Sequence, residues 1–229
     1  MDFDFTPYFA KYEALVHIVD GVFDRVKKAY PACVNCKKGC TDCCYALFDL
    51  TLIEAIYLNQ KFHERFGNDA GMKEKANKAD RQIYKLKRQA HKDYSEKGKN
   101  EVAILQEMGL SRIRCPLLGE RELCDLYEYR PITCRLYGIP TSIQGMAHTC
   151  GKSGFDPGEQ YPTVNMDEIY NQLYQLSAEL VADIKTRYVK MDEMLVPLSM
   201  AIITEYDEVF FGFKNDPEET EEKEDTDKG

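Results

Sequence analysis

Apolar residues in the first thirty positions recur three and four apart: Phe9, Tyr12, Leu15, Val16, Val19, Val22, Phe23 and Val26 fall on one face of a helix. The spacing predicts a helix over about residues 5–30. Pro31 ends it, because proline lacks the N–H and its ring clashes with the preceding turn. A second helix is expected from Thr51, where TLIE offers Thr51 as N-cap and Glu54 as its capping-box partner. Ile53, Ile56, Tyr57, Phe62 and Phe66 supply its apolar positions. After a break at residues 67–71, a long charged helix is expected over 72–97 and a shorter one over 100–108. Residues 109–165 show no period and are rich in Gly and Pro. Periodicity returns at Met166 with Ile169, Leu173, Leu176, Leu180 and Ile184, and a last segment, 192–206, is interrupted by Pro197. Neither an internal repeat nor a β-hairpin signal of any length is visible. The expected fold class is mostly α, with helices packed around an irregular, cysteine-rich metal-binding centre. One helical domain over 1–213 is expected, with the cysteine region at 33–150 and an acidic, disordered tail at 214–229.

Charge refines this picture in two places. The formal net charge is −9, but residues 215–229 alone carry eight acids against two lysines. Residues 61–100 run the other way, with twelve Lys/Arg against six acids. The basic helix 72–97 or the acidic tail would suit a protein partner. A charge run of this kind is more often a solvated face, so no nucleic-acid partner is expected. The N-terminal MDFDFTPYFAKYE lacks a basic segment followed by an apolar one, and the longest apolar stretch, 194–203, is too short to span a bilayer. A soluble, reducing, cytoplasmic setting and no membrane association are expected.

Candidate chemistry lies in the cysteines. Residues 33–44 read CVNCKKGCTDCC, which places Cys33, Cys36, Cys40, Cys43 and Cys44 within twelve positions. Four more follow: Cys115, Cys124, Cys134 and Cys150. The count is odd and the chain can bury a core without staples, so clustered thiols point to metal or redox chemistry rather than disulfides. Zinc and iron–sulfur cubanes both take four thiolates, and a cation relieves the electrostatic cost of crowding them. The adjacent Cys43 and Cys44 cannot easily chelate one ion together, since consecutive Cβ vectors diverge by about 100° on a helix and about 180° on a strand. Two four-ligand sites, or one site with bystanders, satisfy the count equally. His148, two residues before Cys150, is a further candidate ligand. Arg130 and Arg135 could offset the negative charge of a thiolate site, and Pro131 would present Cys134 from a fixed corner. Tyr127 reads as a packing residue. There is no phosphate loop, GxSxG or HExxH. The formal radical-enzyme spacing CxxxCxxC, at Cys36, Cys40 and Cys43, lacks the strands and length of the barrel such enzymes need.

The upstream CxxxCxxCC, followed by CP-L and then C-xx-Y-xx-RP-xx-CR, resembles the YkgJ-type cysteine-cluster family, a CxxCxxCC zinc- or iron-chelating domain. The resemblance rests on Cys36, Cys40, Cys43, Cys44, Cys115, Pro116, Cys124, Tyr127, Arg130, Pro131, Cys134 and Arg135, and spans about 33–150. One spacing departs from it: three residues separate Cys36 from Cys40, while Cys33 and Cys36 have the two-residue gap. The resemblance implies metal ligation by Cys36, Cys40, Cys43, Cys44, Cys115, Cys124, Cys134 and Cys150. Cys33 and His148 stand as further candidates, with Arg130 and Arg135 in support. It also implies iron, as an iron–sulfur cluster, or alternatively zinc, with a redox role of the Fe–S oxidoreductase kind or a metal-handling role. Two other readings compete: a structural zinc module acting through a partner interface, and a protein-modifying enzyme, since a flagellin lysine methylase resembles the same cysteine pattern.

Overall fold

Two hydrophobic clusters organise the chain, and one helix belongs to both. The structure, a computed structural model, describes residues 3–96 and 98–212; the acidic tail expected at 214–229 lies outside the described residues. The chain is mostly α-helical: α1 (Thr6–Ala29), α2 (Leu52–Phe66), α3 (Ala70–Ser95), α4 (Glu101–Gly109), α5 (Ile132–Leu136), α6 (Met166–Ile184), α7 (Leu198–Ile203) and α8 (Glu208–Phe211). Five short strands intervene: β1 (Asp49–Thr51), β2 (Thr141–Ile143), β3 (Met146–His148), β4 (Val164–Asn165) and β5 (Leu195–Pro197). Among the described residues no helix is long and apolar enough to cross a membrane.

The helix shared by both clusters is α2. Its first seven residues, Leu52 to Leu58, are all buried, and Phe62 after them. A helix apolar around most of its circumference must find partners on several sides. On one side Ile53, Ile56 and Tyr57 pack with residues of α1 and α6; on the other Ala55, Leu58 and Phe62 pack with residues of α3 and α7. The long charged helix α3 buries one apolar stripe, Met72, Ala76, Ala79 and Ile83, at three- and four-residue spacing, and Asp93 near its C-terminal end.

The N-terminus of α2 shows why the capping signal matters beyond this helix. Glu54 Oε2 accepts from Thr51 Oγ1 at 3.1 Å and from Thr51 N at 3.4 Å, the reciprocal arm of the capping box. Its other oxygen, Oε1, accepts from Ile132 N at 3.1 Å and so satisfies the first N–H of α5, 78 residues downstream. Ile53 N finds Ser177 Oγ on α6 at 3.2 Å, and that hydroxyl donates to Leu173 O at 2.9 Å. One buried carboxylate thus fixes where α5, the helix carrying Cys134, begins.

The irregular region holds structure that periodicity does not reveal. β2 and β3 form an antiparallel hairpin across the turn Gln144–Gly145, contrary to the expectation that no hairpin exists. Both turn residues have positive φ, 51° and 75°, as a two-residue primed turn requires. Strands of three residues are too short to show alternation, which is why the signal escapes notice. β4 joins β2 in parallel, and β5 pairs antiparallel with β1, Leu50 opposite Val196. Pro197, expected to interrupt a final helix, instead ends β5 and caps α7.

Burial raises the pKa of Glu54 above the ordinary carboxylate range, even though its hydrogen bonds favour the charged form. A raised folded value contributes stability that is complete below the unfolded pKa of about 4.3 and is lost as pH rises through the folded value. Urea unfolding of the metal-free chain between pH 4 and 7 should therefore show Glu54→Gln losing less stability than the wild type. Glu54→Ala should cost about 2–3 kcal/mol, because it leaves the Ile132 and Thr51 donors buried without partners. A neutral effect of Glu54→Ala would remove Glu54 as the link between α2 and α5.

Candidate metal centre

Three chain segments meet between the two hydrophobic clusters and each brings thiols, and a fourth, the loop after β3, adds Cys150. The first follows α1: backbone bonds Cys40 N to Lys37 O at 2.9 Å and Cys44 N to Thr41 O at 3.0 Å curl it into a 3-10 turn, Asp42–Tyr45. The second is pinned directly to it, because Cys115 N donates to Cys44 O at 2.7 Å. From there the chain folds back on itself. Leu118 bridges Cys124, and Asp125 N donates to Leu117 O at 2.8 Å, so two cysteines nine positions apart face one space. Arg114 clamps this loop, donating to Gly119 O at 3.0 Å, Glu122 Oε1 at 3.1 Å and Tyr45 Oη at 2.8 Å. The third segment is α5, where Arg130 is extended ahead of Pro131 and Cys134 is buried.

The thiols line two adjoining cavities. The larger, about 60 Å³, is bordered by Cys40, Cys43, Cys44, Cys115, Cys124 and Cys134. Its remaining wall is largely apolar, with Leu47, Phe48, Ile83, Ile113 and Leu198 among the lining residues, and Arg114 and Arg130 are its cations. The smaller, about 10 Å³, is bordered by Cys36, Cys40, Cys43 and Cys150. Eight of the nine cysteines thus border one cavity or the other, and Cys40 and Cys43 border both. All nine thiols are free. Among the described residues no three His, Cys, Asp or Glu side chains already stand in ligating geometry. The thiols are gathered, with Cys44 and Cys134 hydrogen-bonded to Cys43 and Cys150 to Asp42, rather than closed on a point.

Their electrostatics are uneven. Cys43 is held well below the usual thiol range, first by a hydrogen bond from Cys134, then by one from Cys44, with Arg130 adding attraction. The two donors are pushed up in return. Burial pushes Cys115 up to about 12 and also raises Cys36, Cys124 and Cys150. Arg130 is positioned by its own surroundings: its guanidinium stacks 3.7 Å from the Tyr127 ring centroid and Nε donates to Tyr127 O at 2.9 Å. Tyr127, read from sequence as a packing residue, is the platform that aims this cation.

Three sequence candidates fall elsewhere. His148 is exposed on β3 and borders neither cavity; its sequence neighbour Cys150 turns inward only after the strand has ended. Cys33 packs against the core around α1 and also borders neither cavity. Arg135 does not face the thiols. Its guanidinium pairs with Asp20 of α1 at 2.7 Å and donates to the carbonyls of Arg130 (2.7 Å) and Glu128, bracing the turn that carries Arg130. Conversely, sequence reasoning passed over Asp42, Arg112, Arg114 and Gly138. Asp42 Oδ2 accepts from Cys150 Sγ at 3.4 Å, while Oδ1 accepts from Arg112 at 2.9 Å. The only sequence signal for Asp42 is its place beside the double cysteine.

A family model described as CxxCxxCC, "Putative zinc- or iron-chelating domain", matches residues 35–151, slightly more than half of the chain. That span contains all eight cysteines bordering the cavities. No curated protein and no solved structure matches the chain.

In the reduced, metal-free chain, iodoacetamide at pH 7 should modify Cys43 well before Cys115 and Cys134, because only the thiolate attacks. Mass-spectrometric mapping of a time course reads the order. Modification of Cys115 ahead of Cys43 would contradict the hydrogen-bond direction given above.

Proposed function

Because the chain belongs to the CxxCxxCC zinc- or iron-chelating family, we propose that it binds iron as an iron–sulfur cluster in the larger cavity and serves a redox reaction. The observation that carries this is the convergence of Cys43, Cys44, Cys115, Cys124 and Cys134, from three segments, around a void of about 60 Å³. A single tetrahedral ion leaves little free space between four sulfurs, whereas a void of this size bordered by thiols from three segments suits a larger inorganic core. The donor set fits in chemistry as well as in number, since cubane clusters take four cysteine thiolates. Cys44, Cys115, Cys124 and Cys134 are the ligands this reading selects. When bound, the cluster supplies one-electron transfer.

The surrounding residues have separable roles. Leu47, Phe48, Ile83 and Leu198 give the cavity an apolar wall, which lowers the local dielectric and strengthens charge interactions beside it. Arg130, held on Tyr127, offsets the negative charge of the thiolates and favours the reduced state. Pairing Arg135 with Asp20 keeps the Arg130 turn rigid against α1. A reducing, cytoplasmic setting belongs to the same reading, because nine unbridged thiols persist where the thiol pool is reduced.

The chain should emerge from anaerobic purification brown, with a broad absorption near about 400 nm and with iron and acid-labile sulfide in comparable amounts. Cys134→Ser should lose the colour and the sulfide. A colourless wild-type protein with zinc and no sulfide would overturn the cluster. Full retention of both by Cys134→Ser would remove α5 from the site.

A further inference from the structure

The two cavities differ in size, lining and supporting charge, and the double cysteine stands at their boundary. A 3-10 turn places successive residues about 120° apart. Cys43 and Cys44, adjacent on the turn Asp42–Tyr45, therefore point to different sides: Cys43 borders both cavities, Cys44 only the larger. The larger cavity has four thiols of its own and the smaller only Cys36 and Cys150, so giving the shared Cys40 and Cys43 to the smaller completes two sets of four; a metal–sulfur bond at Cys43 then replaces the hydrogen bonds it accepts from Cys44 and Cys134.

The smaller cavity is framed at the edge of the first hydrophobic cluster, against which Cys36 packs. Cys36 lies directly on the backbone of Gly138, where a Cβ would stand 2.4 Å from the Cys36 Cβ. The loop bearing Cys150 is tied to the upstream loop by Asn35 Nδ2 to Lys152 O and by Gly154 N to Cys33 O, both 2.8 Å. Asp42 holds the Cys150 thiol at 3.4 Å and is itself flanked by Arg112 at 2.9 Å and Lys152 at 3.8 Å. Asp42, bonded to Cys150, is paired in turn with Arg112, and four thiols and Lys152 border a void of about 10 Å³. That is room for about one water, and so for one ion rather than a cluster.

We infer that Cys36, Cys40, Cys43 and Cys150 form a second, separate site that takes a single tetrahedral thiolate-bound ion of the zinc class. The inference rests on the preceding reading only for the use of the other four thiols. Four soft sulfur donors select zinc over hard cations, and a site whose four positions are all taken by thiolates is structural rather than reactive because it keeps no open position. Binding forms four metal–sulfur bonds, releases to solvent the protons of those thiols that still carry one, and leaves a net charge of −2. Arg112 and Lys152, beside Asp42, offset that charge. The ion would fix the 33–44 loop to the loop at 150, and with it the wall shared with the larger cavity.

The test is metal and sulfide analysis of the full chain, purified anaerobically from medium containing both iron and zinc. Wild type should hold one zinc per chain in addition to iron and sulfide. Cys36→Ser/Cys150→Ser should lose the zinc and keep iron, sulfide and colour; Cys115→Ser/Cys124→Ser should do the reverse. Loss of both metals in both variants would mean one joint site, and zinc retained without Cys36 and Cys150 would overturn the assignment. Since a variant could misfold, wild type provides a second reading. After oxidative removal of the cluster, alkylation mapped by mass spectrometry should reach Cys44, Cys115, Cys124 and Cys134, while Cys36, Cys40, Cys43 and Cys150 stay protected until a strong zinc chelator is added. Simultaneous exposure of all eight contradicts the second site. Iron and sulfide without zinc would overturn the second site and leave the cluster standing; zinc on the Cys36 set without iron would do the opposite.

Discussion

Glu54 caps two helices at once, and because its carboxylate is buried its oxygens must find donors inside the protein. The N-termini of α2 and α5 are thereby held together, and the position of Cys134 follows from the second of them. Two further backbone constraints complete the frame. Cys115 is bonded to Cys44 through the main chain, and the loop between Cys115 and Cys124 is closed on itself and clamped by Arg114. None of these contacts involves a sulfur atom. The scaffold gathers the thiols by hydrogen bonding and helix packing.

Gathering thiols has an electrostatic consequence. Burial disfavours the thiolate at most of these positions, while the hydrogen bonds from Cys134 and Cys44 favour it at Cys43. Without metal the scaffold therefore opposes the thiolate at most of the buried positions and favours it at Cys43, and among the described residues no three thiols close on a common centre. A bound cation removes that conflict, so metal affinity should contribute directly to folding and should rise with pH as the ligands lose their protons. Arg112, Arg114, Arg130 and Lys152 are distributed around the thiols, which spreads the compensating positive charge over both cavities.

Much of the fold was legible because helices advertise themselves. The stripe at Phe9, Tyr12, Leu15, Val16 and Val19 predicted α1, and TLIE predicted the start of α2 by its capping chemistry. What remained hidden was what depends on contacts distant in sequence. Nothing local says that Glu54 reaches Ile132, or that Cys44 meets Cys115 through the backbone. Proximity in sequence misled in two cases. His148 sits two residues from Cys150 but faces outward on a strand, and Arg135 follows Cys134 but is drawn to Asp20 on α1. Arg130, four residues before Cys134, does border the thiols, because Pro131 turns the chain and Tyr127 supports the guanidinium. The hairpin at residues 141–148 escaped because its strands are three residues long and its turn is Gln-Gly rather than a stronger signal such as Asn-Gly.

That the gathered thiols are metal ligands is tested most directly by X-ray absorption at the iron and zinc edges of the anaerobically purified wild-type chain. The proposed ligation predicts first-neighbour shells of sulfur alone, with zinc–sulfur distances of about 2.3 Å, and an additional iron–iron distance where a cluster is present. First shells made of nitrogen and oxygen, or the absence of both metals from a folded chain, would contradict it.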